Sequence, residues 1–278
     1  LVFDKGLQKV LNEILRILKQ GIIISFGKIG QGIIQIILLP IYTSILRPSD
    51  FGVLEMMTIF SSILSLLILM GIRQGFTRNY LIKDKKRSNK ENKKDQKSIT
   101  VTMIIFSLLW GSLLITLCFF NAGIISDLFF NSQEYIHLII LSSLWAFGLA
   151  FCQIYQAFLI NNEKIKTYAF ITTIQVLINL TLSIYLVVVL NQGVKGVIIS
   201  NTICNVFFGL CLNIWITIKN WSIFSLGWLK KMLRFGVPAI LGIILLMSFD
   251  MIDRLFLNHY FGLQELGVYS IGRKIVQS

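Results

Sequence analysis

The chain has 278 residues, a formal net charge of +13 and a mean hydropathy of +0.75, with 55% hydrophobic and only 14% charged residues. That balance excludes an ordinary soluble domain, and it points to a polytopic membrane protein. The basic excess lies in connections between apolar runs, so it reads as a topology signal, and no nucleic-acid partner is expected.

Residues 1–20 form the first predicted element. Leu7, Leu11, Ile14 and Leu18 share one helical face, with Lys9, Glu13, Arg16 and Lys19 elsewhere. This pattern fits a cytoplasmic amphipathic helix on the membrane surface, or equally a cytoplasmic extension of the first span. It lacks the short apolar core and small-residue site of a cleavable signal.

Seven stretches that follow are long enough to cross a bilayer, which takes about 20 apolar residues in a helix. They cover 22–46, 51–72, 99–120, 136–160, 167–190, 197–218 and 237–257, and an eighth opens near Leu266. Only backbone satisfied within its own segment survives in hydrocarbon, which selects helices. The expected fold is therefore all-α: a polytopic integral membrane protein with a six-helix transmembrane bundle over 21–218. A cytoplasmic connection over 219–236 then leads to the first two helices of a second bundle over 237–278. The sequence opens at Leu1 without Met and stops inside an apolar stretch, so an N-terminal fragment of a longer protein is expected.

Basic residues alternate by connection. The second connection carries Arg73, Arg78, Lys83, Lys85, Lys86, Arg87, Lys90, Lys93, Lys94 and Lys97; the fourth Lys164 and Lys166; the sixth Lys219, Lys230, Lys231 and Arg234. The odd connections hold only Arg47 and Lys195. Lys and Arg stay on the cytoplasmic side, so the N-terminus and the even connections are expected there, in a multi-pass protein of the inner (plasma) membrane. The run 83–97 reads as a mobile basic loop able to hold anionic headgroups.

Several spans carry polar stripes. Lys28, Gln31 and Gln35 fall at i, i+3 and i+7 in the first; Glu55, Thr58, Ser62 and Ser65 share a face of the second; Thr172, Gln175 and Asn179 mark the fifth; Asn201, Asn205, Gly209 and Asn213 mark the sixth. Such groups face other helices or a wet cavity, and two roles stand for them: interhelical hydrogen bonding or substrate contact. Ionisable residues at depth cost more and point further toward function: Lys28 in the first span, Asp250, Asp253 and Arg254 in the seventh, Arg273 and Lys274 in the eighth. Lys28 could instead snorkel to the interface, and Asp250 with Arg254 could form an i, i+4 pair that only holds the helix. Glu55 and Arg47 are expected to be solvated at the outer interface.

Pro40 should kink the first span, whereas Pro238 sits harmlessly in the first turn of the seventh. Cys118, Cys152, Cys204 and Cys211 lie in spans without metal spacing, and His137 and His259 read as interfacial. No metal or cofactor is expected. A weak internal echo runs at about six spans' offset: Phe26-Gly27 against Phe235-Gly236, and Phe51-Gly52-Val53-Leu54-Glu55 against Leu266-Gly267-Val268-Tyr269. Repeated bundles around a shared site are characteristic of secondary transporters.

Three stretches carry a family likeness. The first is Leu39-Pro40-Ile41-Tyr42-Thr43 with Leu46, Arg47, Pro48 and Asp50-Phe51-Gly52. The second is Glu163-Lys164 with Tyr168, Gln175, Asn179, Leu190 and Gly193-Val194-Lys195-Gly196. The third is Arg234-Phe235-Gly236-Val237-Pro238 with Asp253-Arg254, Leu257, Gly262, Leu266-Gly267-Val268-Tyr269-Ser270 and Lys274. In this order the chain resembles the polysaccharide and O-antigen flippases of the multidrug/oligosaccharidyl-lipid/polysaccharide (MOP) exporter superfamily, which also holds the MATE exporters. The resemblance implies twelve to fourteen spans in two bundles. It also implies export, for surface polysaccharide such as the O-antigen of lipopolysaccharide, of a polyprenyl-pyrophosphate-linked oligosaccharide by alternating access, without covalent catalysis. Lys28, Arg73 and Arg78 would meet the headgroup on the cytoplasmic side, Arg273 and Lys274 from the second bundle. Gln31, Gln35, Gln175 and Asn179 would contact sugar hydroxyls. Asp250, Asp253 and Arg254 are candidates for ion coupling. Implied partners are lipid-linked oligosaccharide, membrane lipids, a glycan polymerase and a chain-length regulator. Two alternatives remain: a MATE-type multidrug/ion antiporter, which would favour buried acids, and a membrane-embedded glycan polymerase or glycosyltransferase, which would need catalytic groups in a large outer loop.

Overall fold

The computed structural model describes residues 42–81 and 88–277, together with Gly21 and Pro40. The amphipathic segment 1–20, most of the first predicted span and the stretch 82–87 lie outside the described residues, and with them the candidates Lys28, Gln31 and Gln35.

Among the described residues the longer helical elements are, in chain order, α1 Pro48–Leu69, α2 Ile72–Leu81, α3 Asn89–Phe120, α4 Ala122–Phe130, α5 Ile136–Asn161, α6 Ile165–Ile184, α7 Gly193–Lys219 and α8 Leu226–Gln277. A π-helical turn, Tyr185–Val189, closes α6. Six of these helical runs are long and apolar enough to cross a membrane. No strand is present among the described residues.

Local chemistry explains the boundaries. At the start of α1 the Asp50 carboxylate accepts the Arg47 backbone N–H at 2.9 Å, and Pro48 occupies the first turn, where no N–H is needed. Its far end turns through Met70 (φ 45°) and Gly71 (φ 70°), a left-handed pair that swings the chain directly into α2. α3 begins well before its apolar run. Ser88 and Glu91 form a reciprocal cap, Glu91 N to Ser88 Oγ at 3.3 Å and Ser88 N to Glu91 Oε2 at 2.9 Å. The stretch expected to be a mobile loop over 83–97 is therefore helical from Asn89 onward. The connection expected over 219–236 is likewise shorter, because Ser225 caps α8 and the helix is formed from Leu226.

α5 is the buried spine. It packs along α7, where a Cβ at Gly148 would overlap the Val206 backbone and one at Gly209 would crowd Phe151. Close approach through small residues is the usual packing device between helices in lipid. Polar bonds tie the same contacts: Asn213 Nδ2 to Phe151 O at 2.8 Å, Thr202 Oγ1 to Leu141 O at 3.2 Å, and Ser61 Oγ of α1 to Ser142 O of α5 at 3.0 Å. α3 and α8 instead turn apolar side chains outward, among them Leu109, Phe120, Leu245 and Phe249. In hydrocarbon such surface costs nothing, so these faces are the lipid side.

α8 is broken at Gly262 (φ 82°, ψ −179°) into arms 226–261 and 263–277. The first arm crosses α2 and the end of α1 closely enough that Gly71 and Gly236 leave no room for a Cβ on either, and Gly75 lies on the Met232 carbonyl. The second arm returns along the start of α1, where Gly52 lies against Leu263 and Gly267 against Pro48 and Gly52. The two members of the sequence echo, Gly52 and Gly267, thus meet face to face.

Candidate functional site

Between these two crossings the helices enclose a cavity of about 390 Å³. Its lining combines two unlike walls. One comes from α8 and is cationic: Arg254, Arg273 and Lys274, with Ser270. The other is neutral and polar: Trp145 of α5, Asn179 and Ser183 of α6, and Asn201 of α7, joined by Tyr42. Glu55 and Thr58 of α1 lie between them, and Glu55 is the single carboxylate among the described lining residues. Glu55 stands seven residues into α1, about 10 Å along the helix from its start at 1.5 Å per residue. The cavity therefore lies nearer the end opposite the basic connections.

The charges form one network across the α1–α8 contact. The Arg254 guanidinium, only 8% exposed as a residue, pairs with the Glu55 carboxylate and also donates from Nε to the Asp250 carbonyl at 2.9 Å. Glu55, expected at the solvated interface, is thus buried, because α8 covers that face of α1. Asp250 does not take the i, i+4 carboxylate pair with Arg254. Its Oδ1 accepts instead from Arg273 Nη2 at 3.2 Å, and its carbonyl from Arg273 Nη1 at 2.6 Å. Asp253 accepts the Tyr269 hydroxyl. Lys274 Nζ stands 5.6 Å from the centre of the Phe51 ring. The two arms of α8 are bound to each other and to α1 through these groups.

The neutral wall is partly pre-bonded and partly open. Asn179 Nδ2 donates to Asn201 Oδ1 at 2.9 Å, and Tyr42 Oη and Ser183 Oγ are 2.6 Å apart. Trp145 Nε1 and Asn179 Oδ1 are buried with no hydrogen-bond partner. One unpaired donor and one unpaired acceptor on the wall of one cavity are what a hydroxyl-bearing ligand would satisfy.

A family model described as polysaccharide biosynthesis protein matches residues 41–278, most of the chain. The chain belongs to this polysaccharide biosynthesis family. No curated protein sequence matches significantly. Solved structures of similar fold include a multidrug-resistance MATE transporter of the MOP superfamily in its inward-facing conformation, at TM-score 0.66, 20% identity and coverage of 88% of this chain and 58% of that one. A MATE complex with Br-NRF gives 0.65, 20%, 94% and 61%. A MOP superfamily transporter from Pyrococcus furiosus, described as having a binding pocket of reverse polarity, gives 0.64, 18%, 95% and 58%. The chain spans about three-fifths of each, and at these identities the likeness is one of fold.

In this polysaccharide biosynthesis family member, the predicted site residues divide. Asn179, Arg254, Arg273 and Lys274 line the cavity, and Asp250 and Asp253 support it from behind. Gln175 is committed elsewhere: Tyr155 Oη donates to its Oε1 at 2.7 Å, and its Nε2 donates to Asn205 Oδ1 at 3.1 Å, a bridge between α5, α6 and α7. Arg73 and Arg78 are also away from the cavity. Arg73 Nη1 donates to Gln153 Oε1 at 2.8 Å, and Arg78 lies 4.3 Å over the Phe235 ring. Both join α2 to its neighbours at the basic end. There Tyr80 Oη donates to Asn162 Oδ1 at 2.8 Å, and burial raises the Tyr80 pKa against the lowering effect of that bond. His137 and His259 are exposed, and no group of three His, Cys, Asp or Glu converges as a metal site among the described residues.

Sequence reasoning passed over Trp145 and Ser183, and named Tyr42 only within a family likeness. Glu55 carried a signal, since it shares a polar face with Thr58 in an otherwise apolar helix. Trp145 carried none: a tryptophan in an apolar span looks the same whether it faces lipid or a cavity.

Proposed function

We propose that the cavity receives the pyrophosphate and first sugars of a polyprenyl-linked oligosaccharide, which the whole transporter carries across the membrane by alternating access. The observation that carries this reading is the polarity of the lining, three cations and one paired carboxylate. A pyrophosphate leaving water needs cations and donors at the site, or its desolvation is prohibitive. Lys274, with Arg273 held in place by Asp250, supplies the charge, and the open Trp145 and Asn179 atoms supply donor and acceptor for sugar hydroxyls on the opposite wall. An amphipathic cation would meet the reverse: the nearby acids Glu55 and Asp250 are already paired with Arg254 and Arg273, and the wall as a whole stays net positive. Membership in a polysaccharide biosynthesis family and the transporter fold point the same way, and the step breaks no covalent bond.

The positive-inside rule puts the basic end on the cytoplasmic side in this reading, and with it the cavity toward the outer leaflet. The test is transfer in proteoliposomes holding the intact protein. A short-chain polyprenyl-pyrophosphate oligosaccharide should reach the far leaflet and a matched prenyl alcohol should not compete. Equal competition by the alcohol, or transfer of a lipophilic cation in its place, would refute the reading.

A further inference from the structure

A second built groove lies at the basic end and shares no lining residue with the cavity. It holds about 760 Å³ between the amino-terminal extension of α3 and the connection into α8. Lys90, Lys93, Lys94 and Lys97 line it at i, i+3, i+4 and i+7, one face of the helix that the Ser88–Glu91 cap creates. Asp95 is the single carboxylate among the described lining residues. Across from the lysines stand Trp221, Ile223, Phe224 and Trp228, with Trp221 78% and Ile223 83% exposed. Lys231 adds a fifth cation, its Nζ 4.3 Å over the Trp228 ring.

The groove is held in shape by the backbone. Ser98 Oγ donates to the Ile223 carbonyl at 2.9 Å, and the Ser225 N–H donates to Thr102 Oγ1 at 3.1 Å. These bonds pin the connection against α3 and fix its aromatic residues beside the lysine face. The combination has a specific physical meaning at a membrane boundary. Tryptophan prefers the headgroup level, where its ring is apolar and its N–H is wet. Lysine there attracts the anionic surface of a leaflet. Exposed Ile223 and Trp221 are unfavourable in water and favourable among acyl chains.

We propose that this groove binds the phosphodiester headgroup of an anionic membrane phospholipid, with the phosphate on the α3 lysines and the glycerol-proximal acyl segments on Trp221 and Ile223. Because the connection it grips leads straight into α8, the bound lipid fastens the second bundle's first helix to α3. The site is independent of the transported substrate and remains whether or not the cavity takes a pyrophosphate lipid.

Tryptophan quenching in nanodiscs tests it, using the intact protein with brominated phosphatidylglycerol or brominated phosphatidylcholine at equal mole fraction. The Trp221→Phe/Trp228→Phe variant supplies the background. The part of the signal due to those two rings should be quenched about twofold or more by the anionic lipid relative to the zwitterionic one, and raised salt should shrink the difference. A Lys90→Gln/Lys93→Gln/Lys94→Gln/Lys97→Gln variant, on the solvated helix face, should erase the preference while its thermal unfolding is unchanged. Equal quenching by both lipids overturns the proposal, as does a preference that survives the lysine changes. Loss of the preference with millimolar inorganic phosphate, at an ionic strength where chloride leaves it intact, would assign the groove to a soluble anion and overturn the lipid occupant.

Discussion

The Glu55 carboxylate of α1 and the Arg254 guanidinium of α8, 199 residues apart, form a buried ion pair in the wall of the central cavity. Breaking a buried pair by removing one partner costs about 3–5 kcal/mol, because the other charge stays behind uncompensated. Glu55→Gln and Arg254→Gln should each lower the unfolding temperature of the detergent-solubilised protein. The double variant should lose less than the sum of the two, since neither group is then stranded. Strict additivity in that cycle would mean the pair is not energetically coupled.

Gly52 and Gly267 meet so closely that a Cβ on either would overlap backbone of the facing helix. Overpacking of such a contact costs about 1–3 kcal/mol and is relieved only by separation of the helices. Gly267→Ala should therefore loosen the α1–α8 crossing. Cysteine accessibility of a Ser270→Cys reporter, buried in the native contact, should rise in that background. An unchanged labelling rate would show that the crossing absorbs the methyl group.

Arg273 and Lys274 are the cavity cations carried by the second arm of α8. Hydrogen bonds to charged groups contribute about 1.5–3 kcal/mol, so Arg273→Gln or Lys274→Gln should weaken pyrophosphate-lipid binding about tenfold or more. Titration with a fluorescent pyrophosphate lipid reads this directly. Affinity within twofold of wild type for both variants would remove the headgroup from this wall.

Trp145→Phe keeps most of the buried ring and deletes only the unpaired Nε1 donor. Fold stability should change little. Discrimination between prenyl pyrophosphate with and without its first sugar should fall several-fold, because a buried donor that meets a hydroxyl is worth about 1 kcal/mol. Comparing the two ligands on both proteins decides it; identical ratios would place the sugar elsewhere.

The Ser88–Glu91 cap tests the helical extension of α3 that supports the lysine groove. Ser88→Ala should cost about 1 kcal/mol locally, and amide exchange should accelerate over 89–95 while the apolar part of α3 keeps its protection.

The spans were legible because a bilayer imposes a length and a hydropathy that local sequence must satisfy: 136–160 was expected and Ile136–Asn161 is found, and 197–218 was expected within Gly193–Lys219. The extension of α3 was legible too, in Ser88-Asn89-Lys90-Glu91, but the charge run around it reads first as a solvated loop. Gln175 and Asn179 lie one turn apart on α6 and looked alike; packing sent Gln175 into a bridge with Tyr155 and Asn205 and left Asn179 on the cavity.

What the sequence determined by itself is thus the class of molecule, the described membrane-crossing helices and the supply of ionisable groups at membrane depth, since each follows from the transfer energy of a local segment. Only the tertiary structure decided which of those groups share a space. Glu55 is a buried partner rather than an interfacial acid because α8 folds over it, and Arg73 and Arg78 brace the basic end because α2 turns them away from the cavity. A charge's role depends on the dielectric and the counter-charge around it, and both are supplied by residues far away in the chain.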